Sequence, residues 1–236
     1  MKTQLIVALD VPDIHQAEDM VKELSSVVKY FKIGMQLFTA CGPDVVAMVR
    51  KYDCDVFLDL KFHDIPNTVA QAALSSLRLG VFMFNVHAIG GDVMLGTVMQ
   101  AINNEIEQKN QPQPQPIVLG VTVLTSMDRQ QLNRVGVIRS VKNEVVGLAG
   151  LCKKAGLSGV VCSGKEIKLL RRLMGKDFVL VVPGIRLSDA KSDDQKRIVT
   201  PAQAAQWGAD YIVVGRPITQ ANNRKQAAEN ILKDIK

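Results

Sequence analysis

Asp59-Leu60-Lys61-Phe62-His63-Asp64-Ile65-Pro66-Asn67-Thr68 (DLKFHDIPNT) runs on directly from the apolar stretch Asp55-Val56-Phe57-Leu58, and the join between the two decides how the chain folds. Residues 55–61 alternate in character, so a strand there sends Asp59 and Lys61 to one face and Leu58 and Leu60 to the other. Opposite charges aimed into one pocket are costly unless each satisfies the other. The pair reads either as a structural ion pair under a loop or as the working groups of a site at the strand's carboxyl end. Beyond the strand, Pro66 disfavours helical backbone at Ile65, which leaves Asp64 and Ile65 on a loop. Thr68 and Gln71 have capping-box spacing and predict a helix starting there.

Outward from this join, the same alternation of short apolar run and amphipathic helix repeats. Strands are expected at 4–10, 30–34, 55–61, 81–87, 117–123, 159–162, 178–182 and 211–214, with helices over 15–27, 35–51, 91–108, 142–154, 165–173 and 219–235 between or after them. Gly80, Gly156 and Gly208 each stand just before a strand, where glycine closes a helix as its C-cap. Eight such alternations predict a parallel sheet of the α/β class, closed at this length into a single (β/α)8 TIM barrel spanning 1–236 as one domain. An open doubly wound sheet is the competing architecture, but no GxGxxG follows the first strand.

Composition narrows the function. A hydrophobic content of 47% over 236 residues supports a large core. The net charge of +6 suits an anionic ligand, yet the lysines and arginines are dispersed and aromatic residues are few, which argues against nucleic acid. Cys41, Cys54, Cys152 and Cys162 show neither pairing nor metal-ligand spacing, so a reduced, cytoplasmic protein without a metal is expected. The first strand begins at once, leaving no room for a signal peptide, and no apolar run is long enough for a membrane. The Pro/Gln run at 111–116 reads as an extended connector on the barrel face opposite the chemistry.

The loops after strands seven and eight, Pro183-Gly184-Ile185-Arg186 and Gly215-Arg216-Pro217, pair glycine with arginine. Glycine lets backbone N–H groups approach an anion, arginine offers a planar fork of donors, and a following helix adds its positive end. Together they predict a phosphate site in the usual place for a barrel. The polar segment 187–199 is long for such a loop and reads as a lid that orders on ligand. Asp10, Lys32 and Thr125 also lie at strand ends. Each alone reads equally as a turn residue, a snorkelling lysine or a cap. His87 at a strand end reads as a packing histidine.

Asp59-x-Lys61-x-x-Asp64 with Ile65-Pro66-Asn67-Thr68 resembles the signature of the orotidine 5'-phosphate decarboxylase family. The resemblance implies decarboxylation of orotidine 5'-monophosphate, the last step of UMP biosynthesis, with Lys61, Asp59, Lys32 and Asp64 as a catalytic charge chain. It places Asp10 on the ribose, Thr125 against the pyrimidine, Arg186, Gly215 and Arg216 at the phosphate, and Gln195 between phosphate and base. It also implies a homodimer in which Asp64, Ile65 and Thr68 complete the neighbouring site. No cofactor is expected, so fixed charge must stabilise the C6 anion, with Lys61 beside it as proton donor. Sugar-phosphate decarboxylases and epimerases share Asp-x-Lys-x-x-Asp, but their metal-dependent members carry an acid near the end of strand two, where this chain has Lys32.

Overall fold

The computed structural model describes residues 2–108, 114–186 and 199–236. Its strands are β1 (Gln4–Ala8), β2 (Tyr30–Gly34), β3 (Asp55–Phe62), β4 (Met83–His87), β5 (Ile117–Val121), β6 (Gly159–Val161), β7 (Val179–Val182) and β8 (Tyr211–Val214). They form a closed parallel barrel in sequence order, with β8 returning to β1 through the register Gln4↔Tyr211 to Val7↔Val214. The (β/α)8 architecture expected from the alternation is therefore present.

Strands covered on both faces need apolar residues at both parities. Inward-facing Ile6, Phe57, Met83, Leu119, Val181 and Val213 fill the barrel as one cluster. The other parity, including Leu5, Phe31, Ile33, Leu58 and Phe84, packs outward into the larger core beneath the helices. At the amino ends of the strands, Tyr30, Phe82 and Tyr211 close the barrel with ring centroids 5.1 to 6.2 Å apart. Among the described residues these rings plug that end, and the cleft described below opens at the carboxyl ends.

The helices are α1 (Ile14–Leu24), α2 (Met35–Cys41), α3 (Asp44–Arg50), α4 (Pro66–Arg78), α5 (Gly91–Gln108), α6 (Arg129–Arg134), α7 (Val141–Lys154), α8 (Ile167–Met174), α9 (Pro201–Trp207), α10 (Arg216–Thr219) and α11 (Arg224–Asp234). Gly80, Gly156 and Gly208 take positive φ (69°, 85° and 94°), as the C-cap reading requires.

Three expectations fail for identifiable reasons. The helix at 35–51 is two, because Gly42 turns at φ 62 and Pro43 has no N–H to continue the ladder. The last helix, expected over 219–235, starts only at Arg224, where the Asn223 side chain caps it by accepting the Gln226 N–H, and Thr219 instead ends the separate single turn α10. Thr68 does not cap α4: the helix starts at Pro66, with Ile65 as N-cap and no side-chain cap bond. Proline fits the first helical position because its missing N–H has no partner there anyway.

Residues 111–113 of the connector and the polar segment 187–198 lie outside the described residues. Residues 114–116 lead into the amino end of β5, on the plugged face. Flanking the segment, Ile185 and Val199 form a parallel bridge, and the Arg186 N–H donates to the Val199 carbonyl at 3.3 Å. Among the described residues, no helix is long and apolar enough to cross a membrane.

Candidate active site

β1, β2 and β3 bring four charged side chains together at the open end. Lys32 is buried, with 9% of its surface exposed, which a lysine tolerates only when its ammonium is fully paired. Its Nζ lies 3.0 Å from Asp10 Oδ1 and 3.3 Å from Asp59 Oδ2. Lys61 Nζ sits 2.7 Å from the other oxygen of Asp59. The row Asp10, Lys32, Asp59, Lys61 alternates in sign and carries no net charge, which is how the barrel accommodates it. Gly34 belongs to the same construction: a Cβ there would stand 3.0 Å from Lys32 Nζ, so the small residue leaves room for the ammonium.

Asp10 extends the row at its Lys32 end, opposite the end beyond Lys61 where Asp64 was expected from a neighbouring subunit. This chain's own Asp64 is exposed and accepts the Ile65 N–H at 2.7 Å. Among the described residues Asp64 makes no ion pair. The chain leaves the barrel after Lys61, whose backbone is left-handed at φ 52, and carries Asp64 outward.

The strand itself also departs from regular alternation. β3 and β4 pair at Leu58↔Phe84 and again at Phe62↔Val86, so residues 59–61 bulge opposite the single residue Asn85. Asn85 is completely buried. Its Oδ1 accepts the Lys61 backbone N–H at 2.8 Å and its Nδ2 donates to Asp59 Oδ1 at 2.7 Å. Sequence reading missed it, although a lone amide within Phe84-Asn85-Val86 was a visible signal.

A cleft of about 350 Å³ opens above these groups. Asp10, Lys32, Asp59 and Lys61 line one side, and Gly184, Arg186, Gly215 and Arg216 come from the loops after β7 and β8. Val121, Val123, Leu124, Thr125, Val161 and Ile185 supply walls between them. The sequence-predicted residues therefore converge, except that Asp64, Ile65 and Thr68 are exposed outside this lining. Gln195 lies outside the described residues. The anticipated help from a helix dipole is small at Arg216, because α10 is a single turn. An anion at that loop would meet the guanidinium and backbone donors instead.

Two neutral groups help define the site's chemistry. Cys162 lines the cleft, but burial pushes its thiol far up, so it acts as an apolar wall rather than a nucleophile. His87 is lowered by burial first, then by His63 and Lys61, and stays neutral near pH 7. The His63 and His87 rings, separate in sequence, stand 5.5 Å apart behind Lys61 rather than in the cleft lining.

A plugged parallel barrel whose cleft opens at the strands' carboxyl ends, with a fixed lysine–aspartate row inside, has the architecture of a (β/α)8 barrel enzyme. The family model described as "Orotidine 5'-phosphate decarboxylase / HUMPS family" matches residues 3–231, and the chain belongs to that family. It is 50% identical over 234 residues to the orotidine 5'-phosphate decarboxylase of Syntrophotalea carbinolica, covering 99% of this chain and 95% of that one. It is 48% identical over 234 residues to the Geotalea daltonii protein of the same name, covering 99% and 96%. The crystal structure of orotidine 5'-phosphate decarboxylase from Lactobacillus acidophilus superposes with a TM-score of 0.86 at 36% identity, covering 99% of each chain.

Proposed function

We infer that this chain, as one catalytic domain in the cytoplasm, decarboxylates orotidine 5'-monophosphate to uridine 5'-monophosphate and CO2, the closing step of UMP biosynthesis. The observation that carries the reading is the row Asp10, Lys32, Asp59, Lys61 set into a cleft with Arg186 and Arg216, in a chain about half identical to decarboxylases of that name. Breaking the C6–carboxylate bond leaves an electron pair at C6 in an orbital that the ring does not delocalise. Lys61 stabilises that pair electrostatically and then gives it a proton from Nζ, with water restoring the ammonium. Asp59, held by both lysines, faces the departing carboxylate and favours its loss as neutral CO2. Asp10 and Lys32 hold the ribose, Arg186, Gly215 and Arg216 hold the phosphate, and Thr125 and Gln195 address the base.

The working unit is a homodimer. Asp64, Ile65 and Thr68 are exposed outside their own cleft and are free to complete a neighbour's. Met35, Ile65, Ile89 and Val93, at the ends of β2, β3 and β4, are all more than half exposed and form an apolar rim for that contact. The test of the reaction is a spectrophotometric assay with orotidine 5'-monophosphate, run with and without a chelator. Absence of turnover by folded protein refutes the decarboxylase reading, and turnover abolished by the chelator refutes a mechanism without metal.

A further inference from the structure

Inward positions on barrel strands are normally branched apolar residues, and Asn85 occupies one with no surface exposed. A buried amide is costly unless both its ends are satisfied. Both are, and neither by the scaffold around it: the carbonyl end receives the Lys61 N–H at 2.8 Å, and the amino end meets Asp59 Oδ1 at 2.7 Å. The opposite amide orientation would set oxygen against carboxylate and N–H against N–H, so the bonding fixes it.

We propose that Asn85 is a positioning residue for the decarboxylation step, holding Lys61 in its left-handed backbone and sharing Asp59 Oδ1 with the Lys61 ammonium. The proposal rests on the decarboxylase reading above. Three facts support it together. Lys61 is one of two described non-glycine residues at positive φ, a conformation that persists only where neighbours over-determine it. The bulge at 59–61 leaves the Lys61 N–H facing Asn85 instead of a regular ladder carbonyl. The oxygen that takes the Asn85 amide is the one that takes Lys61 Nζ, so a single neutral side chain sets both members of the pair. Neutrality matters as well: a carboxylate at 85 would face Asp59 as a like charge.

The test uses Asn85→Ala and the isosteric Asn85→Asp, assayed on orotidine 5'-monophosphate and titrated with uridine 5'-monophosphate as product. Misplacing a reacting group by about an ångström costs on the order of 100-fold, and kcat of Asn85→Ala is expected to fall by about that factor. KM and product affinity should stay within roughly threefold, since the phosphate and ribose contacts come from other strands. Asn85→Asp should lose at least as much. A merely structural role would lower the folded fraction and leave kcat per folded site unchanged, and that result overturns the proposal. Crystal structures of the variants provide an arm independent of activity: Lys61 should leave φ near 52° or part from Asp59. Lys61 unmoved in a folded variant also overturns the proposal. Wild-type protein without turnover refutes the decarboxylase reading instead, and the crystallographic arm still judges Asn85.

Discussion

Lys61 concentrates the conflict between stability and chemistry. A residue with a side chain costs about 1–2 kcal/mol in left-handed backbone, and glycine does not. In an ordinary strand glycine is less stable than alanine by roughly 0.5–1 kcal/mol. At position 61 the order should reverse: Lys61→Gly is expected to unfold at higher urea than Lys61→Ala, by up to about 1 kcal/mol, while both lose nearly all turnover. Equal or inverted midpoints would mean that the backbone at 61 carries no strain, and substantial activity in either variant would remove Lys61 as the proton donor. The charged pair itself was legible, because two ionisable residues two apart in an apolar strand have few bland explanations. The bulge was not, because strict alternation already places Asp59 and Lys61 on one face and gives no reason to look for another geometry. Asn85 was invisible for a related reason: its two bonds go to residues 26 and 24 positions away, and a local pattern does not report such partners.

Among the elements, the short β6 is held between its neighbours by close backbone approach. A Cβ at Gly159 would collide with the Val179 backbone carbonyl and side chain of β7, and backbone cannot yield as a flexible side chain does. Gly159→Ala should therefore cost about 3 kcal/mol, the upper end for overpacking, read as a lowered thermal midpoint. The phosphate loops make a prediction of another kind. A charged hydrogen bond is worth about 1.5–3 kcal/mol, so Arg216→Ala should cut kcat/KM on orotidine 5'-monophosphate by roughly 10- to 150-fold. On the bare nucleoside the loss should be far smaller, and an equal loss on both would remove Arg216 from the phosphate site. Sequence read the glycine C-caps well, since positive φ leaves a chemical signature. It read helix starts poorly around Pro66 and missed α6, although Asp128 and Gln131 form a capping box. Periodicity cannot reveal a helix of six residues.

For the whole molecule, the barrel count was the easiest inference, because the same unit repeats and each repeat corroborates the next. What no pattern within one chain can test is the expectation that Asp64, bracketed by Lys61 and Pro66 and exposed outside its own cleft, finishes the row of a neighbouring subunit. The two-fold partner proposed above can be tested by complementation. Inactive Lys61→Ala mixed with inactive Asp64→Ala and allowed to exchange should form mixed dimers in which one site has both lesions and the other none. Equal amounts should recover roughly a quarter of wild-type activity. If exchange is shown to occur and no activity returns, Asp64 works within its own chain.

The seam between β1 and β8 has a consequence for the protein's birth. Thr3 Oγ1 donates to the Ala209 carbonyl at 2.6 Å, the Gln4 N–H donates to the Asp210 carbonyl at 2.8 Å, and the ladder then runs on to Val7↔Val214. The partners of the first strand on this side are thus translated some 206 residues after it. At about 5–20 residues per second, a ribosome takes roughly ten to forty seconds to travel from one to the other. Throughout that interval the nascent β1 presents one row of unpaired amides and an apolar face, the kind of edge that recruits a stranger's strand. Ribosome-bound chains whose β8 is not yet made or is still inside the exit tunnel should accordingly be the ones that bind chaperones and aggregate, and a linker long enough to bring Val214 out of the tunnel should release them.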